Sequence, residues 1–179
     1  LGPNGAGKST TMNIMTGYIA STSGEVLIDG HNILEEPEAA KKCIGYLPEQ
    51  PPLYVDMTVA EYLKFAAELK KVPKNERETQ IEQVMELTGI TAMANRLIKN
   101  LSKGYKQRVG LAQAILGYPD IIILDEPTVA VDPQSRNKIL EGIMELNRNG
   151  ATIVYTSHYM EEVVHADKVY VMDLSLIHI

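Results

Sequence analysis

The chain has 179 residues, 45% hydrophobic and 22% charged, which suffices for one globular domain with a core and is too little for two large ones. Its 23 acidic against 17 basic residues give a net charge of −6, and Lys and Arg are nowhere clustered, which excludes a general nucleic-acid binder. A single cysteine, Cys43, cannot close an intrachain disulfide, and no apolar run is long enough to cross a bilayer, so a soluble domain in a reducing compartment is expected.

Leu1 stands directly before Gly2, Pro3, Asn4, Gly5, Ala6, Gly7, Lys8 and Ser9, which fill the template G-x-x-x-x-G-K-[ST], with Thr10 next. Glycines let the backbone curl so that its N–H groups converge on phosphate oxygens, and a helix opening near Lys8 adds the positive end of its dipole. In that arrangement Lys8 reaches the terminal phosphates and the Ser9 hydroxyl is offered to Mg²⁺. A loop of this kind is launched by a strand, so the launching strand is expected to be missing from the start of the chain.

Further on, β-prone runs at 25–28, 43–47, 121–124, 152–156 and 168–172 alternate with helical spacings, the pattern of an α/β fold with a mostly parallel sheet covered by helices. Residues 53–117 break the alternation. There Val59, Tyr62, Leu63, Ala66 and Leu69, then Ile81, Val84, Met85 and Thr88, recur at helical spacing with no strand between them, which predicts an inserted helical subdomain ended by Gly117 and Pro119. The run Ile121 to Leu124 is apolar throughout, as expected of a strand buried on both faces. It delivers Asp125 and Glu126 to the carboxyl end of the sheet, the edge at which open α/β folds bind ligands. Asp125 is suited to hold Mg²⁺, and Glu126 to orient and deprotonate an attacking water. Two solvated carboxylates after a strand are the bland alternative. Ile139, Ile143 and Leu146 mark another helix, and His158 follows the strand at 152–156. The last six residues, 174–179, do not continue the pattern and read as sequencing-adapter read-through, outside the fold.

Leu101, Ser102, Lys103, Gly104, Tyr105, Lys106, Gln107 and Arg108 resemble the signature motif of ABC transporter ATPases, with Lys103 in place of a glycine and Tyr105 in place of a glutamine. They lie between the phosphate loop and the Asp125–Glu126 pair, as in that family. Ser102 could equally be a plain helix cap. The resemblance covers residues 1 to about 173 and implies a P-loop NTPase, RecA-like core at 1–52 and 118–173 with a helical subdomain at 53–117. It also implies ATP and Mg²⁺ as ligands. Ser102 and the Gly104 amide would contact the nucleotide of a second cassette, Asp132 would sit in the loop that couples the two sites, and His158 would touch the γ-phosphate. The family's Q-loop position falls on Glu49, with Gln50 one place late, and either side chain could approach the metal or the lytic water. The implied assembly is a head-to-tail homodimer on the inner face of a membrane, bound to a separately encoded permease of the ABC-2 exporter kind, with no nucleic-acid partner. This finer likeness rests on residues 46–54 with Lys103 and Tyr105. ABC ATPases of DNA repair or translation and a non-catalytic nucleotide-binding regulator are the other classes considered. A GTPase is excluded by the lack of an N-K-x-D segment.

Overall fold

The structure is a computed structural model and describes residues 1–129, 131–164 and 166–173, with the backbone alone of 165 and 176–178. The glycine-rich loop leads into α1 (Lys8–Met15), a short hairpin of β1 (Leu27–Ile28) and β2 (His31–Asn32), then α2 (Pro37–Lys42) and β3 (Ile44–Leu47). Three helices follow without an intervening strand: α3 (Val59–Leu69), α4 (Arg77–Leu87) and α5 (Lys103–Ile115). The chain then returns to the sheet with β4 (Ile121–Leu124), α6 (Pro133–Arg148), β5 (Thr152–Tyr155), β6 (Val171–Asp173) and β7 (Leu176–His178).

The parallel sheet positions everything that follows. β4 lies between β3 and β5, parallel to both, with Leu47, Leu124 and Tyr155 in one register row. The segments that leave the three strands therefore emerge side by side at one edge. The central strand is apolar because both its faces are covered, and Ile122, Ile123 and Leu124 are buried. α3 starts cleanly because Thr58 and Glu61 form a reciprocal capping box, and it turns Val59, Tyr62, Leu63, Ala66 and Ala67 inward. α5 stops before Gly117, whose φ of 83° is the left-handed conformation that ends helices. Past α3, the Lys70 ammonium donates to the Ala114 and Leu116 carbonyls at 2.7 and 2.9 Å, closing the end of α5, and burial pulls its pKa down to about 8. One apolar cluster runs from Leu47, Ile122 and Leu124 of the sheet through Leu63, Val84, Val109 and Ile115 of the helices, so the helical stretch shares its core with the sheet.

Two expected strands turn out differently. The run at 25–28 is not part of the parallel sheet: β1 pairs antiparallel with β2 across Asp29 and Gly30, whose φ values of 50° and 81° make the two-residue turn that Asp-Gly favours. The run at 168–172 is shifted to β6, which pairs antiparallel with β7, so residues 176–178, read as outside the fold, lie paired along it. Leu1 joins this region by donating its backbone nitrogen to the Tyr170 carbonyl and accepting at its carbonyl from the Met172 N–H, both 2.8 Å.

β3 and α5 approach each other closely at Gly45. A Cβ on Gly45 would stand 2.4 Å from the Ala114 carbonyl oxygen and 2.8 Å from the Pro119 ring, neither of which can yield cheaply. Gly45→Ala is expected to lower stability by about 1–3 kcal/mol, read as a lower urea midpoint at unchanged slope.

Candidate active site

The glycine-rich loop is built to expose amides. Gly5 and Gly7 have φ of 80° and 98°, and a Cβ on Gly5 would meet nothing within 4 Å, so that residue is required by conformation and not by crowding. Gly2 is required by crowding, because a Cβ there would fall on the Met172 carbonyl. Gly7 is the N-cap of α1 and supplies no side-chain acceptor. By contrast α3, α5 and α6 are capped by Thr58, Ser102 and Asp132. The first-turn N–H groups of α1 are thus left for an external acceptor, at the positive end of the helix dipole.

A cleft of about 400 Å³ opens over this helix end, lined by Asn4, Gly5, Gly7, Lys8, Ser9, Thr10, Glu49, Glu126, Val129 and His158. Lys8 is 5% exposed. Its ammonium donates to the Gly2 and Pro3 carbonyls at 2.8 and 3.0 Å and lies 3.5 Å from Glu126 Oε1. The other oxygen of Glu126 is 2.8 Å from His158 Nε2. Glu126 is thereby clasped between a lysine from α1 and a histidine that follows β5. Its backbone has φ of 48°, a left-handed conformation uncommon for a side-chain-bearing residue. That conformation is held by the Glu126 N–H, which donates to Thr156 Oγ1 at 2.9 Å, while the same hydroxyl donates to Asp125 Oδ1 at 2.7 Å. Asp125 is buried below the cleft, and its N–H continues the sheet to the Leu47 carbonyl at 2.8 Å. Burial first, and the Asp125 charge second, push the Tyr46 phenol up to about 12. That hydroxyl ties β3 to α1 by donating to Asn13 Oδ1 at 3.3 Å.

The predicted residues divide into two places. Asn4, Gly5, Gly7, Lys8, Ser9, Thr10, Glu49, Glu126 and His158 meet in the cleft, with Gly2, Pro3, Ala6 and Asp125 supporting it, whereas Gln50 is exposed and absent from the lining. Ser102, Gly104 and Asp132 gather elsewhere. Ser102 caps α5 by accepting from the Tyr105 N–H at 3.4 Å, and Asp132 caps α6 through Ser135 N–H at 2.9 Å, a bond that holds its carboxyl below the ordinary range. Gly104 joins them because a Cβ there would stand 2.6 Å from Ser135 Oγ and 3.2 Å from Asp132 Oδ2, so the α5–α6 contact requires glycine.

A family model described as ABC transporter matches residues 1–129, nearly three quarters of the chain. The chain belongs to the ABC transporter family. It is 42% identical over 163 residues to the linearmycin resistance ATP-binding protein LnrL of Bacillus subtilis (strain 168), covering 91% of this chain and 52% of that protein. To the probable multidrug ABC transporter ATP-binding protein YbhF of Escherichia coli (strain K12) it is 35% identical over 169 residues, covering 94% of this chain and 29% of YbhF. The chain therefore spans about half of LnrL. Among solved structures it superposes, with a TM-score of 0.88 and 27% identity over 98% of this chain and 80% of the other, on a dimeric ATP-binding cassette in a post-hydrolysis state bound to ADP and Pi. The fold is thus that of an ABC ATPase domain.

Two residues of this cassette's site escaped the sequence reading. Thr156 reads in the sequence only as the end of a strand, although its hydroxyl links the Asp125 carboxylate to the Glu126 N–H. Glu162 stood beside Glu161 as one of two acidic residues, with nothing in their order to say that Glu162 alone is buried.

The left-handed Glu126 gives a direct test. Glu126→Gly and Glu126→Ala both remove the carboxylate and differ only by a Cβ at φ 48°. The glycine variant should be the more stable by about 1–2 kcal/mol in thermal or urea unfolding, reversing the usual order of the two residues. Equal stabilities would show that the backbone relaxes and the strain is not stored there.

Proposed function

We propose that this cassette binds and hydrolyses MgATP and, as a head-to-tail dimer, drives export through a separate membrane permease. The observation that carries the reading is the clasped Glu126 at the mouth of an uncapped, glycine-led helix N-terminus. The loop amides and Lys8 bind the terminal phosphates, and Glu126 is placed to accept a proton from the attacking water. His158 holds the carboxylate's second oxygen and so sets its direction. Phosphoryl transfer asks mainly for such positioning and charge stabilisation.

The donor set fits Mg²⁺. Among the described residues no group of three His, Cys, Asp or Glu side chains is assembled for a metal. A magnesium ion is commonly held by one or two carboxylates together with substrate phosphates, and here the Ser9 hydroxyl and the Asp125 carboxylate would supply the protein's share, with Glu49 at the rim. The ion, when bound, neutralises charge developing on the phosphate oxygens. Glu49 faces the cleft and Gln50 does not, which favours Glu49 as the metal- and water-facing residue.

Ser102, Gly104 and Asp132 lie apart from their own chain's cleft, as they would if they serve the nucleotide of a second copy. The dimeric cassette on which the chain superposes supports that reading. The exposed Tyr54 and Val55, with Tyr54 packed edge-on against Phe65, offer an apolar surface next to the Glu49 loop for a permease. No helix among the described residues is long and apolar enough to cross a membrane. In the proposed assembly the cassette works at the inner membrane face, bound to the permease. The likeness to LnrL and YbhF, whose names speak of resistance and multidrug transport, supports export.

Glu126→Gln keeps the shape and removes the base. It is expected to retain MgATP binding, to lower hydrolysis by about 10²–10⁴-fold, and to accumulate an ATP-dependent dimer in size-exclusion chromatography; a variant that stays monomeric with ATP bound would sink the sandwich. Glu49→Ala is expected to lower turnover at least tenfold while Gln50→Ala stays within about twofold; in the assay of steady-state hydrolysis, the opposite order would reassign the Q-loop role.

A further inference from the structure

Below the catalytic cleft lies a second polar cluster with no place in the binding of nucleotide. Its centre is Glu162, whose side chain is fully buried although the segment that carries it, 160–165, is a short 3-10 helix at the surface. A buried carboxylate is costly unless every oxygen has partners. Here each oxygen has one. Thr128 donates its hydroxyl to Oε1 at 2.7 Å and Ser157 donates to Oε2 at 2.5 Å. The Arg136 Nε stands 3.7 Å from Oε1 and supplies the opposite charge, while its guanidinium lies 4.4 Å over the Tyr159 ring. The Tyr155 hydroxyl donates to the Glu162 backbone carbonyl at 2.5 Å, and burial together with the Glu162 charge pushes that phenol's pKa up.

The partners of Glu162 decide its meaning. Thr128 is two residues after Glu126, and Ser157 immediately precedes His158. Ser157 also accepts from the Tyr159 N–H at 2.9 Å, so its hydroxyl straddles His158 on both sides of the chain. One carboxylate therefore binds the two loops that bring Glu126 and His158 to within 2.8 Å of each other. Arg136 extends the cluster to the first turn of α6, next to the Ser135 and Asp132 that pack on Gly104 of α5. We propose that Glu162 is a positioning residue for ATP hydrolysis: its carboxylate clamps the Thr128 and Ser157 loops so that His158 stays aligned on Glu126, and it links that alignment to the α6 end that meets the signature helix. The inference rests on the ATPase reading above. It assigns to Glu162 no contact with nucleotide, so its loss should act on turnover and not on binding.

The test compares kcat and nucleotide Kd of the purified chain carrying Glu162→Ala, Glu162→Gln and, as a control, Glu145→Ala, whose side chain is solvent-exposed on α6 away from the cluster. Glu162→Ala is expected to lower kcat about 100-fold, the scale of an ångström-sized misplacement, while Kd for MgATP changes by less than about threefold. Glu162→Gln, which can still accept from one hydroxyl and donate to the other, should restore kcat to within about fivefold of wild type, and Glu145→Ala should stay within about twofold. Because Glu162 acts through His158, adding Glu162→Ala to His158→Ala should cost less than about threefold more. A full additional loss in that background, an effect on Kd alone, or a glutamine variant as poor as alanine would each overturn the proposal. If Glu162→Ala does not fold, Thr128→Val and Ser157→Ala each remove one arm and should lower kcat about five- to tenfold at unchanged Kd, and wild-type turnover in both would overturn it. A wild-type chain that neither binds nor hydrolyses MgATP would sink the ATPase reading and this inference with it, whereas an active wild type matched by Glu162→Ala would sink the inference alone.

Discussion

A single carboxylate held between two basic side chains organises this molecule: Glu126, with Lys8 on one oxygen at 3.5 Å and His158 on the other at 2.8 Å. The three residues are far apart in the chain and come from three different elements. The parallel register that sets Leu124 beside Tyr155 brings Glu126 and His158 together, and the Tyr46–Asn13 hydrogen bond ties α1, which carries Lys8, to the neighbouring β3. A shift of one residue in β4 would turn Asp125 and Glu126 to exchange faces, because side chains alternate along a strand. The apolar sequence of β4 is thus a functional feature as well as a packing one.

The same edge explains why strain is tolerated at Glu126. A left-handed glutamate costs on the order of 1–3 kcal/mol in isolation. Thr156 recovers part of it by accepting from the strained N–H while donating to Asp125, so one hydroxyl satisfies two neighbours of the turn. Glu162 does the corresponding work one layer lower for Thr128 and Ser157. Both are buried polar residues that would be expensive if any partner were lost, and neither touches the space where phosphates would lie. The placement of Asp125, Glu126 and His158 is built on these buried hydrogen bonds more than on the loops that display it.

How much of this could be read from residue order depends on the kind of signal. The phosphate loop was legible because glycine spacing and a Lys-Ser pair state a backbone conformation directly, and α1 opens at Lys8 as that spacing requires. The inserted helices were legible from apolar periodicity, which survives because Val59, Leu63 and Val84 do face the core. Strand direction was less accessible. The run at 25–28 has the β-prone composition of its parallel counterparts, and only the Asp29–Gly30 dipeptide told that it turns back on itself. Glu162 was illegible altogether, since a hydrogen-bond acceptor for Thr128 and Ser157 is defined by folding and not by neighbours in sequence.

The division of the predicted residues into two places follows from the capping of the helices. α1 ends in a glycine and keeps its amides free, while α5 is closed by Ser102 and α6 by Asp132. A capped N-terminus has already spent one acceptor on itself, so Ser102 can serve an outside phosphate only through its remaining hydrogen-bonding capacity and the amides beside it. Ser135 and Asp132 against Gly104 hold the N-terminal ends of α5 and α6 together, and Arg136, the next residue on α6, reaches back to Glu162. The end of the molecule proposed to meet a second cassette is therefore continuous, through Arg136 and Glu162, with the Glu126–His158 pair. In such an arrangement a displacement of α5 cannot leave the Glu126–His158 contact unaffected unless the α6 end or the Glu162 cluster gives way first.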